Sequence, residues 1–157
     1  MKLDTAHPMN RLLLEHFRRR EDRLPAPPPL AAPNEHSDPY MGAGSHPDIV
    51  ERVWDVLGAS LPKDCRALVY GTPALVHPAA GVVIALAYGT QYAIRVPDAC
   101  VDEAVRAGCH LEQRWSGGGT TNIEQVFGRG WVFGSWLDAE KQWLSETYTY
   151  SEQNIAP

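Results

Sequence analysis

Two stretches of this 157-residue chain contain residue types that can do recognition chemistry. The first surrounds Arg95. In "VVIALAYGTQYAIRV" a hairpin register centred on Gly89-Thr90 sets Arg95 in a row with Leu75 and Ile84, with His77 and Val82 beside it. On such a face Arg95 can pair with a carboxylate or phosphate while His77 and Tyr88 flank it, because a guanidinium offers planar, charge-assisted donors. The plainer alternative keeps the arginine stem over apolar neighbours and its head in water. The second stretch is the glycine loop 116–121. Gly117, Gly118 and Gly119 lead into Thr120 and Thr121 ahead of a helical turn, and backbone N–H groups at such a turn can hold an anion, with Arg114 and Arg129 as local cations. The P-loop pattern is absent, and a flexible turn is the competing reading.

Other chemistry finds little support. The six histidines include no i,i+4 pair and no H-E-x-x-H, so no metal site is expected. Three cysteines without C-x-x-C spacing indicate neither a disulfide framework nor a zinc knuckle; reduced, mostly buried structural thiols are the expectation, with a lowered pKa for Cys100, near a helix start, as the alternative. No paired acid and base or nucleophile motif stands out, so no catalytic residue and no cofactor is assigned. Five tryptophans remain. Trp131 and Phe133 point to one side of a late strand and Trp136 to the other, while Trp115 adjoins the glycine loop, which makes these four a candidate partner interface.

The elements that must position these residues follow from periodicity and punctuation. "MNRLLLEHFRRR" reads as a short helix with Met9, Leu12, Leu13 and Phe17 on one side. Residues 24–45, rich in Pro, Ala and Gly, read as an extended connector. Ser45 or His46 caps a helix with Pro47 in its first turn, and Ile49, Val50, Val53, Trp54 and Leu57 form its apolar stripe. The meander follows. Gly89-Thr90 forms a two-residue hairpin turn and residues 78–81 a second, while Gly71, ahead of Pro73, reads as a bend or bulge where a strand begins. One face then carries Val83, Ala85, Ala87, Tyr92, Ile94 and Val96. Asp98 starts a helix that Gly108 stops, Thr121 and Glu124 have capping-box spacing, and Asp138 precedes a last helix bearing Trp143, Leu144, Thr147 and Tyr148.

The expected fold class is α+β: an antiparallel meander of about four to five strands against two to four helices, with an extended Pro-rich N-terminal segment. The expected organisation is an N-terminal helix and connector over residues 1–45, one compact domain over 46–151 and a tail over 152–157.

In Gly71 and Pro73 before a hairpin, the arginine-bearing strand ending "YAIRV", the helix closing at Gly108, a late strand, and a terminal helix with Trp143 and Tyr148, the chain resembles the TfoX N-terminal domain family over about residues 48–150. "VYGT" stands where that family tends to have a Met-Phe-Gly-Gly turn. The resemblance implies a small bacterial regulatory or binding module without catalytic residues.

Composition bounds the function. With 44% hydrophobic and 21% charged residues the chain is an ordinary globular protein, and it has no apolar run of membrane-spanning length. A net charge of -5 disfavours a nucleic-acid surface, although the first 24 residues are basic. The expectation is a non-catalytic cytoplasmic protein, without membrane contact, that regulates through a protein partner or a homodimer. The alternative is an enzyme or sensor for a small phosphorylated or carboxylated ligand held by Arg95.

Overall fold

In the computed structural model, residues 2–19, 28–33 and 46–153 are described. Most of the connector expected over 24–45, with Ser45 as a possible cap, lies outside the described residues, as do residues 154–157 of the tail. The fold is α+β, as its punctuation predicts. A turn at Pro8–Asn10 leads into α1 (Arg11–Arg18), and β1 (Leu30–Ala31) follows within the connector. Helix α2 (Pro47–Glu51) continues through a π-helical turn (Arg52–Val56) and a 3-10 turn (Leu57–Ser60). The strands β2 (Arg66–Val69), β3 (Thr72–Val76), β4 (Val83–Tyr88) and β5 (Gln91–Arg95) form the meander. After α3 (Val101–Ala107) come β6 (Glu112–Arg114), β7 (Thr120–Asn122), α4 (Ile123–Phe127), β8 (Trp131–Phe133) and α5 (Ala139–Gln153). The main sheet is antiparallel in the order β1-β2-β3-β4-β5-β8, and β6 and β7 make a separate hairpin.

The chain contains Tyr-Gly-Thr twice, at residues 70–72 and 88–90, and both are hairpin turns. Gly89, at φ +63°, closes β4 on β5 with Tyr88 opposite Gln91 and Ala85 opposite Ile94, the register read from the sequence. Tyr70 and Gly71, at φ +48° and +78°, close β2 on β3 with Val69 opposite Thr72. Positive φ at both central residues is the turn that matches strand twist, so Gly71 is a hairpin residue rather than a bend where a strand begins.

The larger correction concerns the faces of the sheet. Between β3 and β4 the register slips: Leu75 faces Ala85, but Val76 faces Val83, leaving Ile84 as an extra residue. This bulge sends Ile84 and Ala85 into the same core and Val83 into the other, so Val83 and Ile94 do not share a face. One core lies under α2, α3 and α5, where Val53, Trp54, Val101, Trp143 and Leu144 pack on Ala87, Tyr92 and Ile94. The second lies under α1 and α4. There Leu13, Leu14, Phe17 and Phe127 pack on Val69, Val83, Leu86, Trp131 and Phe133. The sheet is therefore the middle of three layers, rather than a sheet with one helix-covered face.

The compact body thus extends N-terminal of His46. Full burial of Leu13 and Leu14 contributes about 1.5–3 kcal/mol each relative to exposure. Residues before α1 are clamped as well: the Asn10 side chain donates to the Asp4 and Gly81 carbonyls, both at 2.8 Å, and accepts from the Val83 N–H at 3.0 Å. Gly81, at φ +70°, lies so close to Asp4 that a Cβ there would stand 2.5 Å from its backbone nitrogen.

Candidate functional site

Where the N-terminal turn and α1 cross the end of β5, the packing leaves a cavity of about 610 Å³. Met9, Leu12, Val96, Pro97 and Phe127 give it an apolar wall. Met9 lies in the turn and Leu12 in α1, whose fully buried positions are Leu13 and Leu14, so Met9 and Leu12 are left half-exposed and face the gap. From α5 come Glu146, Thr147 and Tyr150, and from the turn after β5 comes Asp98.

Arg95 lines this cavity. It is the last residue of β5, opposite Trp131 of β8, and its guanidinium lies over the Trp131 ring at 5.1 Å from the centroid. The residue is 7% exposed, yet its guanidinium makes one hydrogen bond to described residues, from Nη2 to the Met9 carbonyl at 2.7 Å. Its Nε–H has no acceptor among them. A guanidinium carries five donors, and a buried charge needs both a counter-charge and filled donors to offset lost hydration. Burial pulls the Arg95 pKa down to about 10, and Asp98 and Tyr150 partly offset this, so the group is still cationic at neutral pH. Exposed Arg11 and Arg129 and exposed Asp98 and Glu146 complete the charged lining.

The three residues grouped by sequence are not brought together. Only Arg95 reaches the cavity. His77, 1% exposed, sits on the opposite face, stacked on Tyr148 at 4.2 Å, and its Nδ1 accepts from the N–H groups of Ala79 and Ala80. Tyr88 shares the Arg95 face but lies at the hairpin end of β4, where its hydroxyl meets His16 Nε2 at 3.2 Å and its ring meets Trp115 and Phe127. The bulge and the second helical layer separate what a flat register joins.

The glycine loop is also placed differently. Residues 116–119 form the tip of the β6–β7 hairpin, with Arg114 at the end of β6 and Thr120 and Thr121 in β7, and they do not run into a helix N-terminus. Asn122 caps α4 by accepting from the Gln125 N–H, which replaces the Thr121–Glu124 capping box. The Trp115 N–H bonds the Gly119 carbonyl and the Gly118 N–H the Trp115 carbonyl, so Gly118 is already used as a donor within the turn. A Cβ added at Gly117, Gly118 or Gly119 would meet nothing within 4 Å, so the tip faces open space rather than a cradle.

Of the candidate interface, Trp131 and Phe133 are fully buried beneath α1 and α4, which excludes them as contacts on a free surface. Trp115 is half-buried, its Nε1 donating to Thr121 Oγ1 at 2.7 Å. Trp136 stays 51% exposed. The late strand is apolar on both faces because both are covered within the chain.

A second polar cluster escaped sequence reading. Glu140, with no solvent exposure, accepts from Arg52 Nη2 at 2.9 Å, Ser135 N at 2.7 Å, Cys109 Sγ at 3.6 Å and the Tyr92 hydroxyl. Arg52 also donates to the Leu137 carbonyl and lies under the Trp136 ring. Burial lowers the Arg52 pKa, but hydrogen bonding to Glu140 and Tyr92 more than offsets this and raises it. Burial and Glu140 push the Cys109 thiol up to about 12, and burial pushes Cys65 to about 11, away from thiolate chemistry. Cys100 is shifted up too, by burial and then by Glu146, against the lowering its place near a helix start suggested. Arg52 Nε has no acceptor among the described residues, but the bonds converging on Glu140 fasten α5 to the sheet. Among the described residues no group of three His, Cys, Asp or Glu side chains is placed to hold a metal, and no helix is long and apolar enough to cross a membrane.

No protein-family profile, curated protein or solved structure matches the chain.

Proposed function

We propose that this protein binds a small anionic molecule in the cavity between α1, β5 and α5, with Arg95 as the charge contact. The supporting observation is Arg95, a residue 7% exposed whose guanidinium makes one hydrogen bond to described residues, on the wall of a cavity whose volume suits a small ligand. A protein-partner role would draw support from a broad exposed apolar patch. Among the described residues the large exposed hydrophobics are Val105, Trp136 and Tyr150, at separate points in the chain. The raised thiol pKa values weigh against a cysteine nucleophile, and the reading offered is of a sensor or carrier.

The test is a thermal-shift screen of phosphorylated and carboxylated metabolites, run beside light scattering. A true ligand at 100 times its Kd adds about 2.7 kcal/mol, roughly 5–10 °C in Tm for a chain of this size, and Arg95→Gln is expected to abolish the shift. A stable dimer with no shift from any anion would instead support a partner role.

A further inference from the structure

We infer that the ligand is a monocarboxylate with an apolar tail, its head on Arg95 and its tail along Met9, Leu12, Val96 and Phe127. This rests on the anion-binding reading and narrows its ligand class. Charge is the first consideration. The lining carries three arginines, Arg11, Arg95 and Arg129, against two carboxylates, Asp98 and Glu146, an excess of a single positive charge. One carboxylate balances that excess, whereas a phosphate monoester at roughly -1.5 to -2 overshoots it and meets Asp98 and Glu146 as like charges. Of the three cations only Arg95 is buried, and one planar guanidinium matches one planar carboxylate.

The walls point the same way. Around Arg95 the surface is supplied by thioether, aliphatic, proline and aromatic groups, which offer contact area but few donors for a sugar or polyol. The Thr147 hydroxyl, a potential polar anchor, already donates to the Arg95 carbonyl at 2.9 Å. Along the wall of Met9, Leu12, Val96 and Phe127 a polar metabolite body would lose water without replacement hydrogen bonds; an alkyl or aryl tail would not.

Calorimetric titration with acetate, butyrate, hexanoate, octanoate, octanol and octyl phosphate tests the inference. Octanoate is expected to bind, with Kd tightening roughly fourfold per added methylene from butyrate upward and with octanol at least tenfold weaker. Ala99→Trp, at an exposed rim position, is expected to weaken octanoate at least tenfold without lowering Tm. Arg95→Gln is expected to erase the preference for octanoate over octanol; if that variant does not fold, the rim variant and the headgroup series still decide. Octyl phosphate binding as tightly as octanoate, or octanol doing so, overturns the monocarboxylate. If phosphorylated metabolites stabilise the protein in an Arg95-dependent way while octanoate is inert, the ligand class fails and the anion-binding reading stands. Silence from every anion overturns both.

Discussion

A carboxylate survives without solvent at position 140 because four donors converge on it, from Arg52, Tyr92, Cys109 and Ser135. Removing one partner of such a buried pair leaves the other uncompensated, so Glu140→Ala is expected to cost about 3–5 kcal/mol in urea denaturation. Beside it, Gly134 is fixed by contact: a Cβ there would stand 1.9 Å from the Tyr92 ring. Nothing in the sequence announced this cluster, since its members run from 52 to 140 without motif spacing and meet only through the fold. His77 gives a pH signature. Burial lowers its pKa, partly offset by Glu152 and Asp64, and protonation of Nδ1 would displace the two N–H groups it accepts. Between the depressed folded pKa and the unfolded value near 6.5, the unfolded chain binds more protons, so stability falls as pH drops below about 6.5. His77→Gln is expected to flatten that part of the stability profile measured by chemical denaturation from pH 7.5 to 5; an unchanged slope would assign the loss to other groups.

At the scale of elements, the Gly89 hairpin was legible because glycine at positive φ leaves a local signature, and α2 because Pro47 and its stripe do the same, whereas Pro73 made the Gly71 hairpin turn read as a bend. The face assignment was not. A bulge at Ile84 is one residue with no composition of its own, yet it reverses which core Val83 joins. A hint did exist in the unbroken apolar run of β4, whose burial on both faces departs from the alternation of a half-solvated strand. Asn10 was silent for another reason: an amide holding Asp4, Gly81 and Val83 looks in sequence like any polar helix-start residue. Asn10→Ala leaves the buried Val83 N–H without an acceptor and is expected to cost about 1–3 kcal/mol. Hydrogen exchange checks the location. Faster exchange at Asp4 and Val83, with β5 amides slowed as in the wild type, is the expected pattern, and uniform loss of protection would mean a global effect instead.

For the whole molecule, three layers make residues 2–19 part of the fold rather than an appended arm. Deleting them uncovers Val69, Val83, Leu86 and Trp131 and removes the Met9 side of the cavity. The truncated chain is expected to bind ANS and lose a cooperative thermal transition; a sharp transition close to the wild-type Tm would show that the second core closes without α1. The same architecture explains why only Arg95 of the proposed trio entered the site: residue chemistry was visible in sequence, but the cavity joins Met9 to Arg95 across 86 positions of chain. The proposed function turns on that arginine meeting an anion. The most direct measurement is the Arg95 Nε–H resonance in a ¹⁵N-correlated NMR titration with octanoate. A saturable shift shared with Met9 and Leu12 is the expected result, and an unmoved Arg95 signal, with changes confined to Gly117, Gly118 and Gly119 at the hairpin tip or absent altogether, would contradict it.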